Sequence, residues 1–296
     1  MKKKIIIVCG PTGIGKTDLS IALALHYNAE IISFDSRQFF IETNIGTAKP
    51  DEQQLAAVKH HFINSHHVWE YFSAGQFADA CNELMHSNPE KNYVLVGGSG
   101  MYIDALVNGM DNLPAKDFAI RQQLDDWYAE GGIEILQQKL KALDNEYFNV
   151  VDQFNKQRLM RAIEVCLVSG QTYTSFLNQK KHEFNFHPVF IGLDMEREIL
   201  YNRINLRVDK MLAEGLENEC MQLTQYKTCN ALKTVGYKEM FQYLEGALTL
   251  TEATNLIKQH SRNYAKRQLT WFRKNQAVKW FAPDELENSI QHIDRS

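Results

Sequence analysis

Eight residues near the start of the chain, Gly10-Pro11-Thr12-Gly13-Ile14-Gly15-Lys16-Thr17, match the phosphate-binding pattern G-x-x-x-x-G-K-[ST] in full. Glycines let the backbone curl so that successive N–H groups face one centre. A helix that begins at this point adds the positive end of its dipole. Lys16 supplies a mobile cation for outer phosphate oxygens, and Thr17 supplies a hydroxyl for Mg2+. The alternative is a glycine-rich turn with no ligand, and a full match between a strand and a helix counts against it. The pattern does not name the phosphate compound, because kinases, hydrolases and transferases of other groups all use it.

A second candidate is Asp35, directly after the run Ile31-Ile32-Ser33-Phe34. A carboxylate there lies at the top edge of a sheet, beside the phosphate loop. It suits a water-mediated Mg2+ ligand or a base toward a second substrate. A turn or N-cap aspartate is the plainer alternative.

The elements that must position these groups follow from periodicity. Short apolar strands are predicted at 4–8, 30–34, 93–96 and 189–193, with a last one at 278–281. Helices are predicted at 16–26, 196–214, 216–226 and 252–274. Strands alternating with helices and ending in small or acidic residues predict a parallel sheet, with ligands at its carboxyl ends. Residues 113–186 carry helical patterns and no strand. The predicted fold is α/β: a P-loop NTPase-like parallel sheet flanked by helices, built from 1–112 and 187–296. An all-helical insertion over 113–186 interrupts it.

Composition narrows the class. With 44% hydrophobic and 23% charged residues, the chain is of globular type rather than disordered. Its five cysteines are scattered and form no C-x-x-C pair, which predicts free thiols in a reducing compartment. Met1-Lys2-Lys3-Lys4 has the charge of an export signal, but the apolar run Ile5–Cys9 is too short for export or spanning. A cytoplasmic protein with no membrane partner is expected.

The net charge of −4 argues against general nucleic-acid binding, yet the charge is uneven. Residues 253–283 include no acid and carry Lys258, Arg262, Lys266, Arg267, Arg273, Lys274 and Lys279. Such a strip suits a partner with phosphates in a fixed place, or a solvated helix face. Spacing puts Lys258, Arg262 and Lys266 on one face with Arg273 near it, and points Arg267 and Gln268 elsewhere. Trp271 and Phe272 are expected in the core. The pairs His60-His61 and His66-His67 are read as structural, since neighbouring histidines on a helix diverge and no standard metal-ligand spacing accompanies them.

The order GPTGIGKT, FDSRQFF, IGTAKP and VGGSGMY resembles the tRNA dimethylallyltransferases. Three further segments agree: Gln157-Arg158-Leu159-Met160-Arg161-Ala162, Val235-Gly236-Tyr237-Lys238-Glu239 and Arg262–Trp271. The resemblance runs from about Ile5 to Arg273 and departs mildly at Ser99 and Met101, where Thr and Leu are usual.

The resemblance implies dimethylallyl diphosphate as donor and the tRNA anticodon arm as acceptor. The donor diphosphate would lie in the P-loop, with Mg2+, Lys16 and Arg207 stabilising it as it leaves. Asp35 would take a proton from the exocyclic amine of the adenine beside the anticodon, with Thr17 close to metal and reacting atoms. Reaching that amine requires flipping the base. The resemblance places Ser36, Arg37, Gln38 and Ser99 at the acceptor. It places Arg121, Gln157, Arg158, Leu159, Met160, Arg161, Gly236, Tyr237, Lys238, Lys266 and Arg267 at the tRNA. A monomer is expected. The competing readings are an isopentenyltransferase of free adenine nucleotides, a P-loop small-molecule kinase, and an RNA-binding scaffold with a degenerate P-loop.

Overall fold

The computed structural model describes residues 3–179 and 184–296. Met1 and Lys2 of the basic start, and residues 180–183 of the predicted insertion, lie outside the described residues. The chain divides into two compact units, Met1–Asn108 with Phe184–Ser296, and Gly109–Glu183.

The first unit is built on a parallel sheet. Its strands are β1 (Lys4–Cys9), β2 (Ala29–Ser33), β3 (His60–His61), β4 (Asn92–Gly97), β5 (His187–Leu193) and β6 (Lys279–Phe281), in the order β3-β2-β4-β1-β5-β6. β1 is central because it is apolar on both faces. Ile5, Ile7 and Cys9 enter one core cluster, and Ile6 and Val8 enter the other. Each fully buried isoleucine is worth about 1.5–3 kcal/mol of transfer free energy, so the register Ile6↔Val94 and Ile7↔Phe190 is strongly specified.

Helices α1 (Lys16–His26), α2 (Glu52–Ala57), α3 (Ala74–Ser87) and α4 (Gly100–Asn108) belong to the first part of this unit. The helices α8 (Arg197–Ala213), α9 (Leu216–Gln222), α10 (Tyr237–Leu244), α11 (Leu250–Phe272) and α12 (Leu286–Arg295) belong to its second part. α11 starts at a capping box in which Thr249 accepts from the Glu252 N–H and Glu252 accepts from the Thr249 N–H.

Two local expectations change. The helix expected over 216–226 stops at Gln222 and continues as a short 3-10 turn, Thr224–Tyr226. His60 and His61 form an edge strand rather than part of a helix, paired with Ile31 and Ile32. His61 Nε2 lies 2.6 Å from Glu30 Oε2, and His60 Nδ1 lies 2.8 Å from the Val58 carbonyl oxygen. Among the described residues, no helix is long and apolar enough to cross a membrane.

The second unit comprises α5 (Phe118–Leu143), α6 (Asn145–Phe148) and α7 (Lys156–Ser169), and its described residues hold no strand. α5 is two helical segments joined at Gly131-Gly132, where Gly132 takes a positive φ of 67°. Its core includes Leu124, Leu136, Leu140, Leu159, Met160 and Ile163. Leu159 and Met160 therefore do not offer side chains to a tRNA: the helical period that shows Gln157 and Arg158 to solvent turns these two inward.

Arg121 and Arg161 also have an internal occupation. Both donate to Glu164 Oε2 at 2.8 Å, and Arg161 Nη2 reaches the Pro114 carbonyl at 2.7 Å. Glu164 is fully buried and also accepts from the Asp117 N–H. Burial alone would raise its carboxyl, but the two guanidiniums hold it below the usual carboxylate range. That stabilisation is present above the unfolded carboxyl pKa and is lost as pH falls through the depressed value. Glu164→Ala strands two guanidiniums and should destabilise this unit by about 3–5 kcal/mol, read as a lowered urea midpoint at neutral pH.

Candidate active site

The site is assembled where β1, β2 and β4 end. β1 runs into the phosphate loop, whose Gly10, Gly13 and Gly15 take positive φ values of 148°, 83° and 106°. Other residue types rarely adopt these angles, so the glycines are what allows the curl. A Cβ at Gly10 would also lie 3.0 Å from the Leu193 carbonyl oxygen of β5. Ile14 is fully buried and pins the loop to the core. Gly15 is the N-cap of α1, so Lys16 and Thr17 open its first turn.

Two cavities meet at this edge. The larger, of about 910 Å3, is lined by Thr12, Gly13, Gly15, Lys16 and Thr17 of the loop, together with Asp35, Gln38, Thr47, Lys49 and Arg207. The smaller, of about 420 Å3, is lined by Asp35, Ser36, Ser99, Tyr264, Arg267 and Trp271 among others. Thr12, Asp35, Thr47, Arg207 and Met211 line both. Asp35 therefore stands where the phosphate chamber opens into a second, partly aromatic one.

Two cations of the larger cavity, Lys16 and Arg207, stand close to the loop. Lys16 Nζ donates to the Pro11 carbonyl at 2.8 Å. Burial pushes Lys16 down to about 8; Asp35 opposes that shift and Arg207 adds to it. Arg207, on α8, donates through Nη2 to Thr12 Oγ1 at 2.5 Å. Its Nε is buried with no hydrogen-bond partner among the described residues. Burial lowers its pKa too, with Asp35 countering and Arg203 contributing. An unpartnered buried N–H of a charged group beside a glycine loop of this pattern fits an oxyanion ligand.

Asp35 and its neighbours form a tight turn. The Arg37 N–H donates to Asp35 Oδ1 at 3.0 Å, and the Ser36 N–H donates to Ser99 Oγ at 3.0 Å. Ser99 Oγ in turn donates to Ser36 Oγ at 3.0 Å. Gln38 reaches the carbonyls of Thr47 and Ala48 at 3.3 and 3.1 Å. Arg37 directs its guanidinium to the carbonyls of Asn230 and Ala231, at 3.0 and 3.1 Å, so its charge serves the fold.

α11 covers the strand ends with a different face from the one its basic spacing suggests. Lys258 pairs with Asp209 at 2.5 Å, and Arg262 donates to Asn205 at 2.6 Å, which ties both to α8. Arg267 and Gln268 line the smaller cavity, while Lys266 is exposed. Trp271 is 42% exposed and also lines that cavity, donating from Nε1 to Asp104 at 3.0 Å; of the two aromatics expected in the core, only Phe272 is buried. Tyr264, Gln268 and Trp271 were missed as site residues. Their i, i+4, i+7 spacing was the signal that they share a face. Burial holds the Tyr264 hydroxyl up at about 12, so it remains a phenol at neutral pH.

Gln268 links the parts. Its Oε1 accepts from the Thr12 N–H at 2.8 Å and its Nε2 donates to the Gly98 carbonyl at 2.9 Å. The other predicted contacts divide similarly. Gly236 lines the smaller cavity and Lys238 is exposed. Tyr237 is fully buried and so does not face a tRNA; its hydroxyl donates to Glu219 Oε1 at 2.5 Å.

Among the described residues, no cluster of three or more His, Cys, Asp or Glu is placed to hold a metal ion. The hard oxygens that line the larger cavity at the loop include the Thr17 hydroxyl and the Asp35 carboxylate. That set fits magnesium shared with a phosphate ligand and water, and does not fit a metal held by protein alone.

The IPP transferase family model matches residues 38–275. A tRNA dimethylallyltransferase of Christiangramia forsetii is 49% identical over 292 residues, covering 98% of this chain and 97% of that protein. The crystal structure of a tRNA isopentenylpyrophosphate transferase from Bacillus halodurans superposes with a TM-score of 0.71 at 35% identity, covering 99% and 95% of the two chains. A eukaryotic dimethylallyltransferase acting on tRNA has the same fold, with a TM-score of 0.81 at 24% identity over 99% and 77% of the chains.

The depressed Lys16 sets a pH limit. A lysine held near 8 is charged below that value and neutral above it, so anion binding should weaken on the alkaline side. Calorimetric titration with inorganic diphosphate should show affinity falling as pH rises through about 8, and Lys16→Met should remove that limb.

Proposed function

The chain belongs to the IPP transferase family, and we propose that it transfers a dimethylallyl group from dimethylallyl diphosphate to N6 of the adenine 3′-adjacent to the anticodon, tRNA position 37, releasing diphosphate. The observation that carries this reading is the position of Asp35, which lines the cavity of the phosphate loop, with Lys16 and Arg207, and the neighbouring one alike. A donor diphosphate on one side and an acceptor base on the other would meet at that carboxylate.

The chemistry balances with these groups. The allylic carbon–oxygen bond of the donor breaks as the bond from N6 to that carbon forms. The electron pair leaves with the diphosphate, and the N6 proton passes to Asp35. Lys16 and Arg207, with the loop N–H groups, face the charge that builds on the leaving oxygens. A magnesium ion held by Thr17, and through water by Asp35, would add Lewis-acid stabilisation of the same oxygens.

Adenine N6 is a weak nucleophile because its lone pair is delocalised into the ring, so orientation and proton removal matter. Ser36, Gln38 and Ser99 are polar side chains at the turn of Asp35. In the first unit, exposed Lys238 and Lys266 together with Arg267 offer cations to the tRNA backbone. In the second unit, Gln157 and Arg158 are the exposed members of the resembling segment. Phosphate contacts of this kind make binding fall with salt. A cytoplasmic monomer completes the reading, supported by cysteines that are all free thiols.

Incubation with dimethylallyl diphosphate and tRNA, followed by nucleoside mass spectrometry, should yield dimethylallyladenosine. Consumption of ATP with phosphorylation of a metabolite, or prenylation of free AMP alone, would assign the site to one of the other two enzymes. Asp35→Ala should lower the rate by about 10²–10⁴-fold and leave tRNA affinity nearly intact. Near-normal turnover in that variant removes Asp35 as the base.

A further inference from the structure

Glu219 on α9 touches neither the phosphate loop nor Asp35, and no mechanistic step above uses it. Its carboxylate is nevertheless surrounded by donors. The N–H groups of Asn44 and Ile45 donate to Oε2 at 2.9 and 2.7 Å, and the N–H of Gly46 donates to Oε1 at 3.0 Å. The Tyr237 hydroxyl supplies a fourth donor at 2.5 Å. Three successive N–H groups converging on one centre form an anion-binding nest. Here the anion is the protein's own.

The segment so held is a shared wall of the two cavities. Gly46 lines the smaller, Asn44 and Ile45 line the larger, and Thr47 lines both. Its far side is tied by Gln38, three residues from Asp35, through the carbonyls of Thr47 and Ala48. Ala48 takes a φ of 48°, a left-handed conformation that costs a non-glycine residue about 1–2 kcal/mol and persists only where neighbours enforce it. Gly46 is pressed against the Tyr237 ring, since a Cβ there would lie 2.6 Å from Cζ. N–H groups gripped from one side and carbonyls from the other leave the wall one position.

We propose that Glu219 is a positioning residue for the transfer reaction, serving as an internal anion that seats residues 44–48 between the two substrates. This inference rests on the function proposed above. Removing the carboxylate leaves three convergent N–H groups without their anion, beside a chamber built for diphosphate. The wall would then relax, or the nest would draw an anion from solution.

Glu219→Ala tests this against Glu217→Ala on the same helix, whose carboxylate accepts from the Tyr243 hydroxyl at 3.1 Å and from no backbone N–H of residues 44–46. Two readouts are compared with and without sodium acetate: kcat/KM for transfer, and calorimetric binding of magnesium diphosphate. E219A, folded by circular dichroism, should lose about 10- to 100-fold in kcat/KM, the scale of a misplaced site, and about tenfold in diphosphate affinity. Acetate should recover both saturably in E219A and change neither in the wild type nor in E217A. Wild-type values in folded E219A, or a loss that acetate does not recover, would overturn the proposal. If E219A does not fold, E219Q replaces it and should show a smaller loss in the same readouts. A wild-type chain that binds diphosphate yet transfers no prenyl group refutes the transfer function, and diphosphate binding by E219A with and without acetate then decides the role of Glu219.

Discussion

The side-chain amide of Gln268 is the contact on which the site depends. It holds the Thr12 N–H with its oxygen and the Gly98 carbonyl with its nitrogen, and the residue is almost fully buried. The Gly98 carbonyl would otherwise be a buried polar atom with an unmet bond, a cost of about 1–3 kcal/mol. One amide therefore locks the phosphate loop after β1, the turn after β4 and the helix α11 into one arrangement. Gly98 has to be glycine for this to work, because a Cβ there would lie 2.0 Å from Gln268 Nε2. The same crowding recurs one turn along the helix, where a Cβ at Gly100 would meet the Trp271 ring at 2.2 Å.

The frame holds together charges that repel one another. Lys16 and Arg207 are both displaced downward by burial; Arg207 adds to the shift of Lys16, Arg203 adds to that of Arg207, and Asp35 opposes both. At these two side chains one carboxylate faces two cations, a local positive excess that favours an anion over a neutral ligand. That imbalance costs folding stability and is useful only if a polyanion completes the site. The diphosphate proposed to leave from this site would do so more fully as its charge develops, so that the stabilisation would grow toward the transition state.

Arginines divide into those that serve the fold and those turned to solvent. Arg37, Arg121, Arg161 and Arg262 are committed to carbonyls, Glu164 or Asn205. Arg158 and Arg267 are exposed, and Arg267 also stacks its guanidinium 5.7 Å from the Tyr264 ring centre. A count of basic residues overstates the surface available to a nucleic acid. Which of them is available depends on acids and carbonyls supplied by other segments.

The strands, the glycine loop and the helix after it were legible in the sequence, because each is a local pattern acting on adjacent backbone. Apolar residues in short runs must be buried on both faces, and Gly10, Gly13 and Gly15 permit the angles the curl needs. The family was legible too, through the IGTAKP and KRQLTW segments. What the sequence could not assign is who meets whom across long separations. Gln268 is 256 residues from Thr12, and Glu219 is 173 from Gly46. Periodicity could place Lys258 and Arg262 on one helical face, but not reveal that α8 occupies that face. It could place Leu159 and Met160 in the resembling segment, but the turn of the helix buries them. Local backbone preference is written in neighbouring residues. The partner of a side chain is decided only when the sheet and helices close around it, because charges and amides act over a few ångströms of space and not along the chain.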